Sequence, residues 1–434
     1  MKNKTAVFTI ISKNYISQAK ALMDSLAKTN PELKRFVLLV DKKENYNLSG
    51  NYQLIELGQL KINGLRGLLF KYDITESNTF LKPYFIEYLF KMRDFDKVIY
   101  LDPDIYVFSR MDALYSLLKT HNIVLIPHIL SPTTSPPDNL SFLYSSENDP
   151  YKIQYDLAFL QTGVYNLGFI ALSKSKETLR MLQWWKDRLS KLCYLNPERG
   201  LFVDQKWIDL VPCYFDKVAI LKDKTYNIAY WNLFERHDLR KSNDKFLLGN
   251  KKIVFFHFSG LSLEHKNMIS TYMSKYRFKD FNKTLKKIFD LYVREIINAG
   301  YNATKCLRYY YGYYDNGVKI TDSQRMVYSN CKNIKKFGDP FKTGKNGFFE
   351  WLRQPSNTNP HITNFQHELY KFRTGTRRPY IQKSSMANVT KEIKEINKLM
   401  GETNKKNIRR VAPMINSAKS FIRSLMKMTG NIFK

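Results

Sequence analysis

Asp102 and Asp104 stand one residue apart in the run V-I-Y-L-D-P-D-I-Y-V-F, between two strongly β-forming stretches, Val98–Leu101 and Ile105–Phe108. A hydrophobic strand that ends in a charged pair presents those charges to something outside the protein. In an open α/β sheet, the carboxyl ends of strands are where ligands collect. Two oxygen donors so arranged suit a hard divalent cation, Mn²⁺ or Mg²⁺, which keeps some waters and bridges to substrate phosphates. Pro103 fixes one φ between the two carboxylates and stiffens the turn. The alternative is an acidic turn between two strands with no ligand at all.

A second charged feature is Lys82-Pro83, at the opening of a helical stretch. A lysine and the N-terminal amides of a helix can together meet an anion. A lysine that merely precedes a helix-starting proline is the other reading.

The elements that must position these groups alternate along the chain. Ala6–Ile11 reads as a strand, and Tyr15–Ala27 as a helix with Ala19, Leu22, Met23 and Leu26 at helical spacing. Phe36–Val40 is a second strand ending in Asp41, Tyr52–Leu57 a weaker third, and Asn78–Arg93 a helix opening near Pro83. Beyond the Asp102/Asp104 strand come a helix over Met111–Leu118 and a strand over Ile123–Ile126. Strands alternating with helices predict an α/β fold, a mixed and largely parallel sheet with helices on both faces. Ser131–Pro150, rich in Pro, Ser and Asn, reads as a long loop beside the site. Tyr165–Ser173 is strand-like, Glu177–Lys191 is an aromatic amphipathic helix, and Val203–Leu210 reads as another helix. Ile253–Phe256 is a late strand that delivers His257-Phe-Ser-Gly260.

The chain has 434 residues, enough for two or three domains, and 44% hydrophobic and 15% aromatic residues mark it as folded. Its 70 Lys and Arg against 39 Asp and Glu give a formal charge of +31. That excess points to polyanionic company: nucleic acid, anionic lipid or phosphorylated substrates. The N-terminal apolar run is too short for a secretory signal, and no stretch reaches the roughly 18 apolar residues that span a bilayer. Four cysteines without paired zinc-type spacing fit a cytoplasmic protein.

In their order along the chain, these features resemble the nucleotide-sugar glycosyltransferases of the GT-A fold, and within them the glycosyltransferase family 8 type. The resemblance covers roughly residues 5–265. It implies that Asp102 and Asp104 bind the divalent ion that grips the donor diphosphate, with His257 as third ligand and Gly260 beside the phosphates. The family pattern H-x-x-G-x-x-K is broken here, because position 263 is Leu. By the same resemblance, Thr9, Tyr15 and Asp41 lie where base and ribose are held, and Lys82 matches a K-P element. Asn166 and Gly168, in N-L-G, would line the donor sugar. Asp204 and Gln205 match a D-Q pair near the anomeric carbon, where an acidic or polar group stabilises developing positive charge. Glu235 is the second candidate for that task. Retention of anomeric configuration follows from the resemblance alone.

The expected organisation is a GT-A domain over 1–275, a mostly helical appended region over 276–385 and a basic tail over 386–434. Residues 391–434 hold eleven basic and three acidic residues, with Met414, Ile415, Ala418, Phe421, Ile422, Leu425 and Met426 at helical spacing opposite Lys419, Arg423 and Lys427. Such a helix can lie in an anionic bilayer interface, which would suit a peripheral enzyme on the inner face of the plasma membrane with a lipid-linked or glycan acceptor. A packing helix is the alternative. A nucleic-acid-binding protein would explain the charge, but no zinc pattern, RNP-like motif or recognition-helix module is present, so nucleic acid is not an expected partner. A nucleotidyltransferase acting on sugar phosphates also uses paired carboxylates, but T-I-I-S-K-N-Y lacks its glycine-rich basic signature.

Overall fold

The structure is a computed structural model, and it describes residues 4–132, 155–273, 277–331 and 334–353. Most of the expected loop over Ser131–Pro150 and all of the basic tail lie outside the described residues.

Strands β1 (Thr5–Ile11), β2 (Lys34–Leu39), β3 (Gln53–Glu56), β4 (Lys97–Leu101), β5 (Ile105–Val107), β6 (Ile123–Leu125) and β7 (Phe169–Ser173) cover the first half of the chain. They are followed by β8 (Leu195–Asn196), β9 (Leu201–Phe202), β10 (Val218–Ile220), β11 (Leu239–Ser242), β12 (Lys245–Leu248), β13 (Lys251–Lys252) and β14 (Phe255–His257). A seven-stranded sheet carries the order β10-β6-β7-β4-β1-β2-β3. All its pairings are parallel except those of β7, which runs against both β4 and β6. This is the mixed, parallel-rich α/β sheet expected from the alternation of patterns.

The period-two alternation of β1 explains why both faces are covered. Ala6, Phe8 and Ile10 enter one apolar core, and Val7 and Ile11 enter the other. On the first face, Phe8 meets Phe85 edge-on with ring centroids 5.0 Å apart and also packs on Tyr100. Such aromatic pairs add about 0.5–1.5 kcal/mol each beyond area burial. They fix the helix Lys82–Met92 under the strands, and so they set Lys82 close to Tyr100.

Two expected helices differ in the structure. The single helix over Asn78–Arg93 is two, Ile74–Phe80 and Lys82–Met92, with Leu81 between them. Pro83 has no N–H to donate to the preceding turn, so it starts a helix rather than continuing one. The helix over Val203–Leu210 is only one turn, Gln205–Ile208, because Val203 adopts φ +43, a left-handed conformation that no helix continues through.

Residues beyond 275 share these cores. Helix Lys283–Asn298 buries Leu285, Ile288, Phe289 and Tyr292 against Phe256 and Phe258. Tyr314, Tyr328, Phe341 and Phe348 surround Phe70 on the first face. Buried Arg325 locks that docking: Nη1 donates to the carbonyls of Leu69, Phe70 and Tyr72, and Nη2 to that of Tyr311.

Candidate metal centre and donor site

The Asp102–Ile105 turn is closed by the Ile105 N–H donating to the Asp102 carbonyl at 3.1 Å, with Pro103 at the position where its fixed φ is favoured. Asp102 N–H donates to the Gly168 carbonyl at 2.8 Å, and Phe258 N–H to the Asp104 carbonyl at 2.8 Å. Strand β14 pairs antiparallel with β5, setting His257 opposite Ile105. The two carboxylates and the imidazole are thus brought together by backbone ladders.

Among the described residues, Asp102, Asp104 and His257 form the one His/Cys/Asp/Glu group able to hold a metal ion, each offering one ligand atom within 4.8 Å of the others. His257 Nε2 lies 3.1 Å from Asp104 Oδ1 and 3.7 Å from Asp102 Oδ2. The carboxylates are partly exposed, at 28% and 24%, while the imidazole is at 5%. Burial pulls the pKa of His257 down, but the charges of Asp104 and Asp102 outweigh it and hold the ring above its ordinary value. Tyr100, wholly buried and with its own pKa pushed well up by that burial, keeps its proton and donates it to Asp102 Oδ1.

Gly168 supplies the space. A Cβ there would sit 2.5 Å from His257 Cε1, 2.8 Å from Asn166 Oδ1 and 2.9 Å from Asp102 Oδ2. Two carboxylates, one imidazole and a cradle that only glycine leaves open fit a divalent cation.

Asn166 is buried, and its side chain is committed to protein groups. Oδ1 lies 3.2 Å from His257 Nδ1 and accepts from Asn227 Nδ2 at 3.2 Å, while Nδ2 lies 3.2 Å from His128 Nε2. Lys82 points inward: Nζ lies 2.7 Å from Asp204 Oδ2 and donates to the Leu167 carbonyl at 2.7 Å. Burial raises the pKa of Asp204, and Lys82 works against that rise. Gln205 Oε1 accepts from Leu167 N–H, and Nε2 donates to the Thr162 carbonyl. Lys82, Asp204 and Gln205 therefore brace the N-L-G segment from beneath.

The remaining candidates stand elsewhere around the strand ends. Asp41 is 3% exposed and accepts from the backbone N–H groups of Lys13, Lys42 and Tyr310. Burial raises its pKa, opposed first by the Tyr310 N–H and then by Lys13. Thr9 is fully buried, and Tyr15 is 40% exposed. Gly260 has φ +74, and a Cβ there would clash with Ser270 Oγ. Glu235 pairs with Arg236 and accepts from Leu130 N–H at 3.0 Å.

Sequence reasoning missed His128, Tyr100 and Asn227. The edge of the Trp231 ring packs against His257, with centroids 5.2 Å apart. The available signal for His128 was its place just past strand β6, at the same end of the sheet as Asp102.

No protein-family model matches the chain. Two Bacillus subtilis (strain 168) proteins described as uncharacterised are similar in sequence. YfnF is 24% identical over 278 residues, 61% of this chain and 84% of that one. YfnD is 24% identical over 294 residues, 66% of this chain and 86% of that one. Among solved structures, the chain is similar to the galactosyltransferase LgtC in complex with donor and acceptor sugar analogues, with a TM-score of 0.38 and 15% identity over 68% of this chain and 95% of that one. It is also similar to the glycosyltransferase GlyE of Streptococcus pneumoniae TIGR4, with a TM-score of 0.36 and 19% identity over 67% of this chain and 64% of that one.

Proposed function

We propose that the chain is a divalent-metal-dependent glycosyltransferase that moves a hexose from a nucleotide sugar, most plainly a UDP-linked one, to a glycan or lipid-linked acceptor of the bacterial surface. The observation that carries this reading is the convergence of Asp102, Asp104 and His257 at the carboxyl end of β4. Asp102, Asp104 and Nε2 of His257 would hold Mn²⁺ or Mg²⁺. When bound, such an ion supplies Lewis-acid stabilisation of a leaving diphosphate.

The chain's own residues do the rest. The Tyr100 hydroxyl orients Asp102, and Asn166 orients the imidazole. Gly168 keeps the cradle open. Asp204, Gln205 and Lys82 are assigned to holding the N-L-G segment rigid beside the anomeric carbon, and Glu235 to holding the Leu130 backbone. Asp41 is assigned to the nucleoside end, where it ties Tyr310 to the end of β2. The basic amphipathic sequence of residues 391–434 supports an acceptor at an anionic lipid surface. Among the described residues no helix is long and apolar enough to cross a membrane.

The test is to incubate the protein with a panel of nucleotide sugars, with Mn²⁺ or with EDTA, and to identify the nucleotide released. Metal-dependent release of a nucleoside diphosphate supports the proposal. Release of pyrophosphate from nucleotide and sugar phosphate would instead make it a nucleotidyltransferase. A thermal shift with RNA or DNA and none with any nucleotide sugar would overturn it in favour of nucleic-acid binding.

A further inference from the structure

His128 has no part in the cation site itself, yet its ring is wired to it. His128 Nδ1 lies 3.2 Å from the Val164 carbonyl, which can only accept, so Nδ1 carries the proton. His128 Nε2 is then an acceptor, and it faces Asn166 Nδ2 at 3.2 Å. That contact forces the Asn166 amide to turn its oxygen the other way, toward His257 Nδ1 at 3.2 Å, and Asn227 Nδ2 reinforces the orientation by donating to the same oxygen. A nitrogen facing a carbonyl oxygen must donate, so His257 keeps a proton on Nδ1, and any second proton sits on Nε2 toward Asp102 and Asp104, where it is the one a cation displaces.

We infer that His128 is a positioning residue which, through the fixed orientation of the Asn166 amide, selects the His257 tautomer able to ligate a divalent cation. This rests on the metal-site reading above. Reversing the first link shows what is at stake. If His128 carried its proton on Nε2, the amide of Asn166 would turn over and present N–H groups to His257. Nδ1 would then accept, and the proton would move to Nε2, where a cation has to bind.

The surroundings keep the relay in one state. His128 is stacked on Phe159 with centroids 4.7 Å apart and meets Trp231 edge-on at 5.4 Å. Burial pulls its pKa down to about 4, so the ring stays neutral and Nε2 keeps its lone pair near neutral pH. Asn232 Nδ2 donates to the carbonyls of both His128 and Asn227, which fixes the two backbones that flank Asn166.

The test combines Mn²⁺ titration calorimetry with ¹⁵N spectra of histidine-labelled protein at alkaline pH, where His257 is neutral. In the unaltered chain, His257 should carry its proton on Nδ1. His128→Phe keeps the ring packing but removes the acceptor, and should weaken Mn²⁺ binding about 10–100-fold, as loss of an outer hydrogen-bond partner does. Adding Asn166→Asp to His128→Phe should restore most of that affinity, because a carboxylate accepts from His257 Nδ1 whichever way it is turned. A merely structural defect would not be rescued so. A proton on Nε2 of His257 in the unaltered chain, or a double variant as weak as His128→Phe, would overturn the relay. Absence of Mn²⁺ binding by the unaltered chain, with His257 still protonated on Nδ1, would overturn the metal-site reading instead.

Discussion

Lys82 Nζ and Asp204 Oδ2 lie 2.7 Å apart, with their side chains 3% and 2% exposed. Ion pairs so removed from water gain little over an apolar pair of the same shape, but losing one partner strands a charge. Lys82→Met should therefore destabilise the fold by about 3–5 kcal/mol, read by urea denaturation. The double variant Lys82→Met with Asp204→Leu should recover much of the loss. If Lys82→Met alone leaves stability unchanged, the pair is not the brace described for the N-L-G segment.

The carboxylates of the cation site behave differently, because at 28% and 24% exposure they reach solvent. Asp102→Asn and Asp104→Asn should each reduce sugar transfer below detection while leaving the thermal unfolding temperature nearly unchanged. Full transfer by either variant, measured as nucleoside diphosphate release, would exclude the altered residue as a ligand.

Gly168→Ala tests the cradle. The added Cβ would sit 2.5 Å from His257 Cε1, so the ring or the backbone must move. Overpacking of this kind costs about 1–3 kcal/mol, and here it should also weaken Mn²⁺ binding well beyond what the loss of stability explains. Titration calorimetry on the folded variant gives the answer, and an unchanged Kd would mean that the cradle is not used.

The pH dependence has opposite signs with and without metal. His257 sits above its ordinary 6.5 in the folded protein, since Asp104 and Asp102 outweigh burial. The metal-free protein therefore has the full contribution of these contacts below that unfolded value, and loses it as pH rises through the folded one. Cation binding needs Nε2 without its proton, so affinity should fall as pH drops through the folded value, approaching about tenfold per pH unit. Unfolding temperatures in EDTA and in Mn²⁺ should thus diverge as pH rises. Parallel curves would mean that protons and metal do not compete at His257.

What the sequence made legible follows from how local each signal is. Asp102 and Asp104 stand out because a strand, a proline and a second strand frame them within eleven residues. His257, Asn166 and Gly168 are singled out by the family resemblance, the first for its place after a late apolar strand and the other two for a short motif. Their tasks were another matter. Asn166 looked like a sugar-lining residue, whereas its amide is consumed by partners 38, 61 and 91 positions away. Lys82 looked like an anion-binding lysine at a helix start, but its Nζ is spent on Asp204 and a carbonyl. His128 offered only its place just past β6, which says nothing of what its ring touches. Hydrogen-bond direction depends on which long-range partner arrives, and no periodicity records that.

The reversed strand β7 has a consequence for how the protein folds. Because β7 runs against β4, the residues that enter it, Asn166 to Gly168, arrive beside the residues that leave β4. The centre is therefore closed by three separate passes of the chain, and Asn166 and His257 lie 91 positions apart. Contacts so distant along the chain are slow to form, since loop closure is met before they contribute. A cation can then grip only a chain that has already threaded all three passes. Added Mn²⁺ should leave the rate of refolding untouched and act on escape from the native state, making unfolding slower in proportion to how tightly the ion is held.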